Sequence, residues 1–65
     1  MLKVIEVLAE SDKSWEDATR QAVSFAGKTV KSIRSVYVSE QSAVVDDNSI
    51  TKFRVNVKLS FEVKG

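Results

Sequence analysis

The sequence predicts an α+β fold of order β-α-β-β, in which a long three-stranded antiparallel sheet packs around one helix. Three observations carry that prediction. Between Ile50 and Lys64 the side chains alternate: Thr51, Phe53, Val55, Val57, Leu59, Phe61 and Val63 point one way, while Ile50, Lys52, Arg54, Asn56, Lys58, Ser60, Glu62 and Lys64 point the other. Between Trp15 and Ile33 the apolar residues instead recur every three or four positions, the period of a helix lying on a sheet. Asp46-Asp47-Asn48-Ser49 then supplies the turn chemistry that folds two strands into a hairpin.

Leu2 to Ala9 is apolar apart from Lys3 and Glu6, which suits a first strand packed on both faces. Glu10 to Lys13 is polar and turn-like. Ser14 is an N-cap by type, with Glu16 and Asp17 in the first turn, where carboxylates complement the helix dipole, and Asp17 in the capping-box position. The apolar stripe behind it runs through Trp15, Ala18, Ala22, Val23, Phe25, Ala26, Val30 and Ile33. Nineteen residues at ~1.5 Å each give a helix of about 28 Å. Gly27 within it marks a close backbone approach, since glycine costs a helix ~1 kcal/mol relative to alanine. Trp15 is expected as a core or interface anchor.

Arg34 to Val45 forms the second strand, with a bulge expected at Gln41–Ser42, where the apolar phase is lost. The crossover makes strands one and two parallel, and the hairpin makes two and three antiparallel. Strand three therefore belongs in the middle. At ~3.4 Å per residue it would run about 45–50 Å, well beyond what a 28 Å helix can cover. A 65-residue single domain, residues 1–65, has nothing else to cover the overhang, so a homo-oligomer is expected.

Composition narrows the chemistry. The chain contains neither Cys nor His, which removes disulfides, His-built zinc sites and Ser–His or Cys–His nucleophiles. With no base for any serine and no evident carboxylate pair, the expected protein is not an enzyme. A net charge of +1 argues against a nucleic-acid partner. Met1–Leu8 is too short and too acidic at Glu6 for a signal peptide, and no run reaches transmembrane length. A cytoplasmic protein without membrane contact is the expectation.

Ser14-Trp15-Glu16-Asp17-Ala18 opening the helix, Ala22-Val23 and Ala26 within it, Thr29-Val30 closing it, and Phe53-Arg54-Val55 through Val57-Lys58-Leu59-Ser60-Phe61-Glu62 together resemble the dodecins. The resemblance runs along nearly the whole chain. It implies a dodecin-like fold, a hollow shell of twelve subunits, and ligand binding at two-fold contacts inside it. In flavin-binding members the ring stacks on a Trp that opens strand two and hydrogen-bonds a Gln on strand three. The matching positions here are Ser35 and Arg54, so the flavin site is altered, with Tyr37 as a neighbouring aromatic. Losing the aromatic platform removes stacking worth ~1–3 kcal/mol per ring, by analogy with base stacking. Ile33-Arg34, Val38, Glu40-Gln41 and Ala43-Val44-Val45-Asp46 are more similar to the branch that lacks the flavin residues, in which calcium binding is described.

Calcium takes six to eight oxygen ligands, and the metal candidates here are Glu40, Asp46, Asp47 and Asn48. The last three also serve as ordinary solvated turn residues. Lys52, Arg54 and Lys58 form a basic stripe that could attract a phosphate, or could pair with Glu6 or Glu40 on neighbouring strands. The expected function is a non-catalytic binding or storage shell for a divalent cation, with calcium as the expected ion. Flavin binding (FMN or riboflavin) through Ser35, Tyr37 and Arg54 is the alternative, and a purely structural oligomeric module is a third.

Overall fold

The computed structural model describes residues 1–63. Lys64, which the alternation assigns to strand three, lies outside the described residues together with Gly65. The element order is β1 (Leu2–Ser11), α1 (Trp15–Ala26), β2 (Ile33–Asp46) and β3 (Ser49–Glu62). The three strands form one sheet in the order β1-β3-β2, with β3 antiparallel to both neighbours. The β-α-β-β antiparallel fold expected from the pattern is the fold observed. Among the described residues no helix is long and apolar enough to cross a membrane.

The helix begins where the cap chemistry places it. The Asp17 amide donates to Ser14 Oγ at 2.9 Å, satisfying one orphan donor of the first turn. The Asp17 carboxylate does not complete a capping box. It instead accepts from Ser11 Oγ and from Gln21 Nε2, both at 2.6 Å, which ties the helix to the end of β1. These donors hold the Asp17 carboxyl below its ordinary value of 3.8, the Ser11 hydroxyl being the larger cause.

The helix ends seven residues earlier than the apolar spacing suggests. Gly27 closes it in a right-handed conformation, and the amides of Thr29 and Val30 both return to the Ala26 carbonyl. A Cβ on Gly27 would meet the helix's own carbonyls at Val23 and Ser24 rather than another element, so the glycine marks the stop and not a close approach. Val30 lies in the connection and Ile33 opens β2; both are apolar for reasons unrelated to helical period. Twelve residues span about 18 Å against a molecule 51 Å long, so the shortfall in cover is larger than the sequence implies.

The core sits at the centre of the sheet. Ala18, Ala22 and Ala26 on α1 meet Val55, Val57 and Leu59 on β3, and all six are buried. Three alanines in one stripe let the helix axis approach the sheet closely. Ile5, Val7 and Ala9 on one side and Ile33 and Val38 on the other pack around this line. Phe25, expected on the buried stripe, is exposed instead, because the stripe that contacts the sheet follows Ala18, Ala22 and Ala26 in strict steps of four. β1 is covered on one face only. Leu2, Val4 and Leu8, expected in a two-sided core, are exposed on the face away from the helix.

Trp15 anchors the far end. Its indole Nε1 donates to the Ser42 carbonyl at 2.8 Å, and its ring meets Phe53 edge-on at 4.8 Å between centroids. Beyond the last β1 pair, Ser11 with Phe53, strands β2 and β3 continue alone as a two-stranded ribbon.

Candidate functional site

The candidate residues are gathered by register. Cross-strand partners share a face, so the face away from the helix carries Ser35 opposite Ser60, Tyr37 opposite Lys58 and Glu6, Glu40 opposite Asn56 and Leu8, and Ser42 opposite Arg54 and Glu10. Tyr37 and Glu40 are three residues apart and would point to opposite faces in a regular strand. The register shifts between Val38 and Glu40, leaving Ser39 as the extra residue, and this restores Glu40 to the outer face. The Ser39 hydroxyl bonds the Asn56 carbonyl at 2.9 Å. Gln41 and Ser42, where a bulge was expected, pair regularly with Val55 and Arg54. The apolar phase is lost there because the irregularity lies upstream.

Glu40, Ser42, Arg54, Asn56, Leu8 and Glu10 line a shallow open cleft on this face. Its strongest electrostatic feature is Glu10. Arg54 Nε donates to Glu10 Oε2 at 3.0 Å, and Lys52 Nζ stands 3.3 Å from Oε1. The Arg54 guanidinium first, and then the Lys52 ammonium, hold the Glu10 carboxyl below its ordinary value of 4.5. All three side chains are exposed, so the geometry orients Arg54 more than it stabilises the fold. Glu10 therefore balances Lys52 and Arg54, while Lys58 stands opposite Glu6 in the β1–β3 register, and Glu40 makes no ion pair with the stripe among the described residues. Asn56 Oδ1 is buried without a hydrogen-bond partner, a cost that proteins seldom leave standing.

The structure brings some of the expected residues together and separates others. Ser35, Tyr37, Glu40 and Arg54 share one face, but Ser35 is paired with Ser60, six residues along β3 from Arg54, roughly 20 Å away. One chain thus does not converge them on a single ligand. The Ser35 hydroxyl is bonded to that of Ser60. Asp46 ends β2, and Asp47 and Asn48 are the two turn residues, with φ of 52° and 63°. Positive φ at both central positions is the turn type that matches strand twist, and Asp and Asn tolerate it best after glycine. Glu40 lies six residues upstream of Asp46, again roughly 20 Å off. Among the described residues no three Asp or Glu side chains gather closely enough to hold a metal by themselves.

Glu10, Ser42 and Asn56 were not anticipated as part of the site. Glu10 was read as turn, yet β1 continues through Ser11. The alternation of Glu6, Leu8 and Glu10 against Val7, Ala9 and Ser11 carried that signal.

The family model described as Dodecin matches residues 1–64 of the chain. The chain belongs to the dodecin family. It is 36% identical over 62 residues to a calcium dodecin of Mycobacterium tuberculosis, a match covering 95% of this chain and 87% of the relative. Among solved structures it is similar to the calcium dodecin from that organism, described as a calcium chelating immunodominant antigen with a novel calcium-binding site. That match has a TM-score of 0.85 at 34% identity and covers 98% of this chain and 91% of the other. Dodecin from Streptomyces coelicolor aligns with a TM-score of 0.95 at 25% identity, over 100% of this chain and 93% of that one. Dodecin from Streptomyces davaonensis, at 20% identity and a TM-score of 0.94 over 100% and 96%, speaks for the fold alone.

Proposed function

We propose that this dodecin is a non-catalytic subunit of a homo-oligomeric shell, a dodecamer, that binds and stores a divalent cation, calcium, with its flavin site altered. The observation that carries the reading is the 36% identity to a calcium dodecin along 95% of the chain. The donor chemistry fits: the candidates Glu40, Asp46, Asp47 and Asn48 offer only oxygens, and the sequence has no His or Cys to favour zinc. A single chain supplies too few of them in one place. Backbone carbonyls, water and a second copy complete the coordination. The altered flavin positions point the same way, since Ser35 is engaged with Ser60 and Arg54 with Glu10, with no aromatic platform at either.

Calcium bound only by the native assembly raises its stability by mass action, ~2.7 kcal/mol at a hundredfold excess over Kd. Thermal melts with calcium and with a chelator should therefore differ, and Asp46→Asn with Asp47→Asn should abolish the difference. Identical melts in both conditions would overturn the calcium reading.

One observation favours the second reading, flavin. Tyr37 and Arg54 are both exposed on the same face, and Arg54 commits its Nε to Glu10, leaving its terminal amino groups for a phosphate. On that reading FMN quenches more strongly than riboflavin in a fluorescence titration, and equal, weak quenching by both argues against it.

A further inference from the structure

Lys52 and Arg54 stand two residues apart on β3, so both side chains leave the strand on the face away from α1, roughly 7 Å apart. That spacing lets one anion bridge two cations, and in this chain the bridging anion is internal. Glu10 lies opposite Arg54 in the β1–β3 register, and its carboxylate accepts from both cations. Oε2 meets Arg54 Nε at 3.0 Å and Oε1 meets Lys52 Nζ at 3.3 Å. The contact does little for the fold, because all three side chains are open to solvent. Nor is it undone by titration near neutral pH. The Arg54 guanidinium first, and then Lys52, hold the Glu10 carboxyl below its ordinary value of 4.5, so it keeps its charge.

The surroundings favour an anion at this end of the cleft and nowhere else along it. Arg54, Ser42 and Glu10 line one end, and Glu40 with Asn56 lines the other. Glu40 is a carboxylate and Asn56 Oδ1 is an acceptor lacking a donor, so their end repels a phosphate. Arg54 spends only Nε on Glu10, which leaves the terminal amino groups of its guanidinium to a ligand. The backbone beside it is held in place, since the Ser42 carbonyl accepts from Trp15 Nε1 at 2.8 Å. On the other side Lys52 shares a second shallow pocket with Asp12 and Gln21, and among the described residues Asp12 makes no ion pair with it.

We propose that Lys52 and Arg54 form a seat for a phosphate group, free or as a monoester, and that the Glu10 carboxylate fills this seat as an internal plug. A phosphate dianion offers the same two oxygens with more charge, and it takes the free amino groups of Arg54 as well. It therefore displaces Glu10, whose release to solvent costs little because the pair is exposed. Glu10 sets the affinity of the seat: it competes with every anion and yields to those that carry more charge than a carboxylate. The seat shares Arg54 with the flavin reading but needs no ring, and it uses none of the oxygens assigned to calcium. All three of its groups belong to one chain, so it does not depend on a second copy.

The test titrates inorganic phosphate, and separately methyl phosphate, into the purified protein by calorimetry at constant ionic strength, after chelation so that no calcium phosphate forms. The unmodified chain is compared with Glu10→Gln, an isosteric change at an exposed site, and both are checked by circular dichroism and native mass. The expected result is weak binding by the unmodified chain and at least roughly tenfold tighter binding by Glu10→Gln, the scale of removing one nearby like charge. Adding Lys52→Ala to Glu10→Gln should abolish the gain. A gain for both probes assigns the seat to monoesters as well, and a gain for inorganic phosphate alone assigns it to the free ion. Equal affinity in the unmodified chain and Glu10→Gln would overturn the inference, as would a gain that survives Lys52→Ala. FMN and riboflavin titrated alongside keep the readings apart. Quenching by FMN, with no effect of Glu10→Gln on inorganic phosphate, would overturn the plug and leave the flavin reading in place.

Discussion

The middle of the sheet and the hairpin arm are built from similar residues and end in opposite states. At the centre, Val55, Val57 and Leu59 lie under Ala18, Ala22 and Ala26 and are closed off from water. In the arm, Val45 and Ile50 have the same chemistry and stay exposed. The difference lies in what covers them, since the helix spans about 18 Å of a 51 Å molecule. The stability of the isolated subunit is thus concentrated in its middle third, and the arm contributes little to it.

Substitutions should separate the two regions. Leu59→Ala removes a fully buried side chain from the centre and should cost about 2–5 kcal/mol, enough to lose much of the folded population of so small a domain, measured by chemical denaturation. Val45→Ser should leave the subunit's circular dichroism unchanged and weaken assembly in sedimentation. A loss of secondary structure comparable to that of Leu59→Ala would erase the distinction between the regions.

The boundary between them is held by Trp15. Trp15→Ala, which loses the edge-on contact with Phe53 and the bond to the Ser42 carbonyl, should cost roughly 1–3 kcal/mol, while Trp15→Phe should recover the part due to the ring. Ser14→Ala removes the N-cap acceptor and should cost about 1 kcal/mol in the same denaturation assay.

The smallest effect is expected from the exposed ion pairs. Glu10→Gln should change the melting temperature little at neutral pH, since exposed ion pairs are screened by solvent and contribute little to stability. Its pH dependence has a definite sign. Glu10 and Asp17 have lowered carboxyl pKa values in the folded state, so their contributions are complete above the ordinary values of 4.5 and 3.8 and are lost as pH falls through the folded values. With no His in the chain, melts between pH 6 and 8 should be nearly flat. Glu10→Gln should blunt the acid decline.

Strand order, the Ser14 cap and the hairpin were all legible because each is written in local chemistry: alternation, an N-cap hydroxyl, and turn residues that accept positive φ. The helix end was not. Val30 and Ile33 keep helical spacing past Gly27 by coincidence, and only the return of the Thr29 and Val30 amides to the Ala26 carbonyl marks the stop. The bulge was displaced from Gln41–Ser42 to Ser39 because alternation reports a change of phase only after it has happened. In the same way, Arg54 was recognisable as a position of interest while its partner Glu10 was hidden. Pairing between residues 44 apart is set by register, which no local pattern contains.

Native mass spectrometry of the purified protein, with and without prior chelation, tests the account most directly because it reads stoichiometry and retained metal together. The account predicts a species of about 86 kDa, twelve chains of 7.2 kDa, carrying calcium that a chelator removes. A 7.2 kDa monomer, or an assembly that never retains calcium, would contradict it.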